Sequence, residues 1–545
     1  MPKESEPVNV ADHLARTSKR QPKRLAIISQ NEKGFSPKSF AQLEKEVNGC
    51  SIVLHEQGIR KGDRVLLMVR PGYGLILLAF ALFRLGSPPV VIDPGMGLRN
   101  LLACIRRARP KAMIGIPFAC LISRVFRGSF REIRLRIVFR EKTFLGKIHA
   151  SASASLKHCA NSVPEDLAAI LFTSGSTGAP KGVCYEHKTF SAQIDMLKKN
   201  FGITEGETDL ATLPVFALFN PALGMTTVIP EMDPRRPSRV DPKKLTESIR
   251  RHEVNSSFGS PVIWVKVADY CERHDITLPS LKRIFLAGAS VPPALVARLK
   301  PLLPNAKILM PYGATEALPI TVCDSEEAIS LRSSTEKGDG SCLGKPLPGV
   351  EIYILPICNS PIPFLSEVDP LPKGMVGEIT VGGPMVTKLY HRMPGATFDA
   401  KVQHNDKTLH RMGDLGYFDE KGNLRFLGRK AELVQTESGP LETERAEPVA
   451  NKLPKVYRSA LIGLGSGQTK KPALVVEPAP EHYPKSPEEK KSFAKEVLGT
   501  LHELDRLRPI KRIFFERNFP VDSRHNAKIH RLALARKWSR KTGAK

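Results

Sequence analysis

"LFTSGSTGAPKGV" (residues 171–183) packs two Gly, two Ser, two Thr and a Lys into Thr173–Lys181, directly behind an apolar run. Glycines let backbone N–H groups approach an anion, hydroxyls donate hydrogen bonds, and Lys181 adds mobile positive charge. The stretch reads as a phosphate cradle at the end of a buried strand. It is not a P-loop, which needs G-x-x-x-x-G-K-[ST]. Counted from Gly175, the second glycine position is Pro180, and Lys181 is followed by Gly182, not by a hydroxyl. The dinucleotide pattern G-x-G-x-x-G is also absent.

Outward from this loop, strand and helix patterns alternate, which argues for α/β layers around a mostly parallel sheet. "SFAQLEKEVNGCSIVLHEQG" (39–58) has helical periodicity up to a glycine, and "KGDRVLLMV" (61–69) turns into a buried strand. "PPVVIDPG" (88–95) is a second strand. The run "GYGLILLAFALF" (72–83) is about 12 residues, short of the roughly 20 that span a bilayer, so it is expected as a buried helix.

The middle of the chain shows a strand–loop–helix design three times. The strands are "LAAILFTS" (167–174), "KRIFLA" (282–287) and "AKILMP" (306–311), the first with a helix expected near 186–200. Ser290 is the expected N-cap of the helix after the second. Ligands of open α/β sheets lie beyond the carboxyl ends of strands, so the three loops are expected to line one cleft.

Residues 355–373 carry five Pro and read as a loop, "GEITVGGPMV" (377–386) as a strand, and "LGYFDEKGNLRFLGR" (415–429) as a hairpin. Beyond Arg429 the pattern suits a small α+β domain of about 115 residues. It holds strands at 456–464 and 471–478 and a helix at 486–505.

The 545 residues are 41% apolar and 25% charged, an ordinary globular composition and not a disordered one. The net charge of +27 favours anionic partners: nucleic acid, anionic membrane, acidic proteins or nucleotides. Residues 505–545 concentrate it, with 13 Lys/Arg against 3 Asp/Glu. No zinc-finger spacing or aromatic RNA-binding signature accompanies the charge, so no nucleic-acid partner is expected. Nine scattered Cys without a C-x-x-C suit reduced thiols, not a disulfide framework or a zinc site. With no apolar leader near the N-terminus, a cytoplasmic location is expected.

The motif set resembles the adenylate-forming superfamily: acyl-CoA synthetases, peptide-synthetase adenylation domains and luciferases. "TSGSTGAPKG" (173–182), "YGATEA" (312–317), "GDLGYFDEKGNLRFLGR" (413–429) and "PVDSRHNAKIHRLAL" (520–534) follow one another in the family order. The resemblance covers about residues 10–535. It implies an α/β fold: a large N-terminal domain, 1–429, of layered sheets and helices with a small β-rich part. A small mobile α+β lid, 430–545, would carry the catalytic lysine.

It also implies site residues. Thr173, Ser174, Gly175, Ser176, Thr177, Gly178 and Lys181 would close on the β- and γ-phosphates of ATP. Gly288, Ala289 and Ser290 would face adenine and the acyl group. Tyr312 would stack on adenine, with Gly313 and Ala314 also in the ATP site, and Thr315 would hydrogen-bond a phosphate. Glu316 would bind Mg²⁺, a hard cation that takes oxygen ligands. Asp414 would accept from the ribose hydroxyls, with Arg429 beside it. Lys528 would bridge the acid carboxylate and the α-phosphate.

Two departures narrow the resemblance. Two residues after Arg429 the family has a hinge Asp or Lys, and this chain has Ala431. "LPVFALFNPALGM" (213–225) lacks the His common among acyl-CoA synthetases but holds Phe216 and Phe219. "FALFNPALGMTTVIPEMDPRRP" (216–237), "VVIDPGMGLRNLL" (90–102) and "FPVDSRHNAKI" (519–529) resemble the β-lactone synthetases of bacterial long-chain olefin biosynthesis.

That subgroup implies ATP-dependent adenylation of a long-chain 2-alkyl-3-hydroxy fatty acid. The acid's own hydroxyl then displaces AMP to close a β-lactone. It also implies a complex with other olefin-biosynthesis enzymes. Separately, the basic segment 505–545 is expected to dock an acidic partner or make peripheral contact with an anionic membrane. The alternative is a long-chain fatty-acyl-CoA or acyl-AMP ligase.

Overall fold

The computed structural model describes residues 8–31, 34–151, 161–173, 179–213, 216–289, 291–522 and 528–543. Two of its sheets are built mainly from parallel strands. In the nine-stranded sheet the parallel core runs Lys307–Ala314, Arg283–Leu286, Ser256–Gly259, Thr208–Leu210, Thr226–Ile229, Leu25–Asn31. Antiparallel strands close both sides of it: Gly34–Ser39 on one, Ala317–Asp324 and Lys345–Pro346 on the other. The six-stranded sheet runs Leu135–Val138, Ala112–Gly115, Val65–Met68, Pro89–Ile92, Leu167–Thr173, Lys181–Glu186. It is parallel except for its last pair.

The helix Tyr73–Arg84 is buried at every position and joins one apolar cluster with residues of both sheets. At about 1.5 Å per residue it is about 18 Å long, a core helix as expected. The helix Phe40–Glu56 starts at a capping box, in which Ser39 and Gln42 satisfy each other's backbone N–H. Such a cap contributes about 1 kcal/mol.

Two of the three expected strand–loop–helix units are hairpins instead. After the glycine-rich segment the chain returns as the strand Lys181–Glu186, antiparallel to Leu167–Thr173, and only then enters the helix His187–Phe201. After Tyr312 the chain turns at Thr315-Glu316 into the strand Ala317–Asp324. In both cases the return strand is buried on both faces, so period-2 alternation is muted. The helix expected near 186–200 is present as His187–Phe201, and Arg283–Leu286 leads directly to the helix Pro293–Leu302, with Pro292 at the N-cap position; Ser290 lies outside the described residues.

The β-rich part is an antiparallel sheet of Ser341–Cys342, Leu424–Arg429, Lys407–Phe418, Gly377–Gly382 and Glu351–Leu355, with Lys401–His404 alongside. After Arg429 come a short hairpin and a three-stranded sheet, Val456–Leu464, Lys471–Pro478 and Arg512–Phe515. Helices Thr443–Ala450, Pro487–His502 and Arg531–Lys541 accompany it. This region has two apolar clusters of its own, one around Leu474 and Val497 and one around Ile462 and Leu534. Cys323 and Cys342, remote in sequence, meet Glu327 with ligand atoms within 4.8 Å of one another, a convergence that spacing did not show.

Candidate active site

The strand Lys307–Ala314 carries Tyr312 to its carboxyl end. A Cβ on Gly313 would stand 2.7 Å from the Ala317 carbonyl, so the tight return into the next strand depends on glycine there. The neighbouring strand is in register Phe285↔Leu309, which sets Gly288 level with Tyr312; Gly288 has φ +92°. Two expected contributors therefore meet at one end of the sheet.

Tyr312 donates its hydroxyl to Asp414 Oδ2 at 2.6 Å. Asp414 is the cross-strand partner of Arg429, whose Nη1 lies 3.0 Å from Asp414 Oδ1. That approach is an ion pair without hydrogen-bond geometry, because Nη1 is aimed at the Met412 carbonyl. Oδ1 is thus a buried acceptor without a hydrogen-bond donor among the described residues. Burial raises the Asp414 carboxyl, opposed by Arg429, the Tyr312 hydrogen bond and the charge of Lys528. The Tyr312 hydroxyl rises well above its ordinary value, from burial and the facing carboxylate.

Lys528 is exposed, and its backbone is fixed by reciprocal hydrogen bonds with Asp522 at 3.1 Å. Arg531, three residues on, donates to both oxygens of Glu447 at 2.6 Å and to Glu432 at 3.0 Å. The lysine segment is thereby tied to the residues just after Arg429. Gly428 permits this: a Cβ there would meet Thr443 Oγ1 at 2.2 Å, forcing back the helix that carries Glu447.

Glu316 sits at the turn of the Tyr312 hairpin. Its Oε1 accepts from the Tyr390 hydroxyl at 2.7 Å, and its carbonyl accepts from Thr387 N and Oγ1 at 2.9 and 3.1 Å. The Thr315 carbonyl accepts from Tyr185. Lys181 Nζ stands 4.7 Å from the Tyr390 ring centroid and Lys401 Nζ 6.0 Å, so two ammonium groups meet one aromatic ring. Burial pushes Lys401 down to about 7, with Glu316 opposing and Lys181 reinforcing. His410, also buried, is lowered for the same reason.

The structure thus brings Lys181, Glu316, Tyr312, Asp414 and Arg429 together, with Gly288 at their edge and Lys528 within electrostatic reach. Ser174, Gly175, Ser176, Thr177, Gly178 and Ser290 fall outside the described residues, as does the Thr173 side chain. Sequence reading missed Tyr390, Thr387, Lys401 and Tyr185. Thr387 and Tyr390 hold Glu316, Tyr390 also faces Lys181, Lys401 bonds the Thr387 carbonyl and Tyr185 the Thr315 carbonyl, and none lies in a recognisable pattern.

An apolar cavity of about 60 Å³ opens beside the Tyr312–Glu316 turn and reaches Pro311, Leu318 and Pro319. Phe216, Phe219, Phe258 and Phe285 supply its aromatic wall, with Phe216 and Phe258 stacked at 3.9 Å. Asp209 is a polar point in the wall, hydrogen-bonded by Asn220 at 2.9 Å, and burial raises its carboxyl to about 6.

The model of the family described as "AMP-binding enzyme" matches residues 14–391. An olefin beta-lactone synthetase of Xanthomonas campestris is 40% identical over 97% of each chain. One of Stenotrophomonas maltophilia is 40% identical over 97% of this chain and 98% of its own. Among solved structures, ATP-bound MatB of Rhodopseudomonas palustris matches 97% of this chain and 99% of its own with a TM-score of 0.78 at 22% identity. An anthranilate CoA ligase with bound anthranoyl-AMP has a TM-score of 0.80 at 18% identity, covering 98% and 99%. At these identities the structural matches speak for the fold.

Proposed function

The chain belongs to the AMP-binding enzyme family, and from that premise we propose that it is a β-lactone synthetase of long-chain 2-alkyl-3-hydroxy acids. The observation that carries the reading is end-to-end identity of 40% to two olefin beta-lactone synthetases. The apolar cavity beside Tyr312 supports it, since long alkyl chains need apolar, concave surface.

ATP fits the residues present. Asp414 Oδ1 is a buried acceptor awaiting a donor, which a ribose hydroxyl supplies. Tyr312 offers an aromatic face to adenine. Glu316 presents carboxylate oxygen, the donor that Mg²⁺ takes. When bound there, Mg²⁺ would supply charge neutralisation on the phosphates.

In the first half-reaction a carboxylate oxygen of the acid bonds to the α-phosphorus of ATP, and the bond to pyrophosphate breaks. Lys181 and Lys528 bring positive charge to the phosphate oxygens on which negative charge develops. In the second, the 3-hydroxyl oxygen bonds to the acyl carbon, its proton leaves, and the acyl–phosphate bond breaks to release AMP. The nucleophile is already part of the adenylate, so the step needs orientation and no second substrate. Residues 1–429 form the nucleotide and acyl domain in this reading, and 430–545 the lid that brings Lys528.

The test supplies ATP, Mg²⁺ and a 2-alkyl-3-hydroxy acid, with and without CoA, and identifies products by mass. Lactone with AMP and pyrophosphate, independent of CoA, is expected. Thioester formed only with CoA, and no lactone, overturns the reading in favour of an acyl-CoA ligase.

A further inference from the structure

The helix Pro117–Val125 lies against the six-stranded sheet through Ala119, Cys120 and Ser123, which are buried. Its other face is also apolar. Phe118, Leu121 and Val125 are 66%, 56% and 67% exposed, and Phe126 follows at 36%. Positions 118, 121 and 125 are spaced three and four apart, so they share one helical face. Large exposed apolar side chains gathered on one face mark an interaction surface.

The surroundings indicate what covers that face. Residues 117–151 hold eight Lys/Arg against two Asp/Glu. Arg124, Arg127, Arg131, Arg134, Arg136 and Arg140 are all exposed. The outer strand Leu135–Val138 continues the pattern, with Val138 47% exposed beside Arg136. An apolar stripe flanked by cations fits an anionic lipid surface, where acyl chains take the phenylalanine and headgroups take the arginines.

We propose that the helix Pro117–Val125, with the arginines that follow it, docks the enzyme on the surface of an anionic membrane. The basic segment 505–545 is a weaker candidate, because its aromatic groups are committed to packing: Trp538 stacks on Phe514 at 4.1 Å, and Leu534 is buried. The proposal is independent of which nucleophile completes the reaction.

The test is co-sedimentation of the full chain with phosphatidylcholine vesicles, with and without phosphatidylglycerol, at low and high salt. Binding is expected only to the anionic vesicles, and high salt should release it. Phe118→Ser with Leu121→Ser should weaken it about tenfold or more, from lost apolar burial. Arg124→Glu with Arg127→Glu should weaken it at least as much. Lys537→Glu with Arg540→Glu, on the C-terminal helix, should weaken it by less than either. ATP–pyrophosphate exchange with a water-soluble acid should be unchanged in all three variants, which keeps loss of fold separate. Wild-type binding indifferent to phosphatidylglycerol, or helix variants that bind like wild type, overturns the proposal. So does a fall in oligomer size in these variants with vesicle binding intact, which assigns the face to a second copy of the chain.

Discussion

Asp414→Asn is the sharpest probe of the nucleotide site, because it keeps the shape and reverses one contact. The Tyr312 hydroxyl donates to Oδ2 at 2.6 Å, so the amide oxygen of the variant stays on that side. Its NH₂ then takes the place of Oδ1, 3.0 Å from the Arg429 guanidinium. An acceptor without a donor becomes a donor facing a cation. A hydrogen bond to a charged group contributes about 1.5–3 kcal/mol, so losing the carboxylate's hold on ribose should cost about 10–150-fold. The loss belongs in KM for ATP, since the ribose 2′- and 3′-hydroxyls take no part in bond making or breaking at the α-phosphorus. Stability should change little: burial already disfavours the carboxylate, and the Arg429 side chain, 36% exposed, remains hydrated. The assay is ATP–pyrophosphate exchange, varying ATP and acid separately, with a thermal melt as control. A KM for ATP within twofold of wild type in a folded variant would refute the ribose assignment.

Tyr390→Phe removes the hydrogen bond to Glu316 but keeps the ring beside Lys181. Exchange should fall about tenfold, partly recovered by raising Mg²⁺, and a Mg²⁺ response identical to wild type would refute the link. Arg531→Gln releases the Lys528 segment from Glu447 and Glu432; kcat for adenylation should fall about tenfold or more with KM for ATP nearly constant. Lys528→Ala should reduce adenylation at least as far, and unchanged adenylate formation would refute its role. Gly338→Ala places a Cβ 2.3 Å from the Arg445 carbonyl at φ +77°, so it should loosen the C-terminal region and speed proteolysis near 430–432. For Asp209, burial raises the folded-state carboxyl to about 6 from an ordinary value near 4. The folded state therefore holds its proton longer, and stability is lost as pH rises from about 4 through 6. Asp209→Asn should remove that loss, up to about 3 kcal/mol above pH 6, in denaturation series at pH 4 and 7.

The pairings legible beforehand were those within recognisable motifs. Tyr312, Glu316, Asp414 and Arg429 each lie in a short pattern of glycines and polar groups, and the structure joins them. Tyr390 is 74 residues from the glutamate it orients, in "VTKLYHR", which has no periodicity and no glycine. Only folding brings its ring to Lys181. The hairpins were misread for a related reason. Buried return strands such as "KGVCYE" do not alternate, and this one runs straight into a helix without a turn residue between them.

The C-terminal region bears on the second half-reaction. Lys430, beside the departure at Ala431, is held by Glu378 at 2.8 Å and by the Cys358 carbonyl at 3.1 Å. Glu378 is buried and also binds Arg411. Ser341 donates to Glu444 at 2.7 Å, and Arg445 to the Gly338 carbonyl at 3.1 Å. Swinging the proposed lid away would separate Ser341 from Glu444, whose carboxyl is buried, and a buried polar group stripped of its partner costs about 1–3 kcal/mol. CoA, an intermolecular nucleophile, needs a path to the adenylate and gives such a rotation a purpose. A hydroxyl two carbons from the adenylate carbonyl needs none, because it is already inside when the adenylate forms. Ties at Ser341–Glu444, Gly338–Arg445 and Glu378–Lys430 hold residues 430–545, the proposed lid, in an arrangement that a lactone-forming enzyme can keep through both steps.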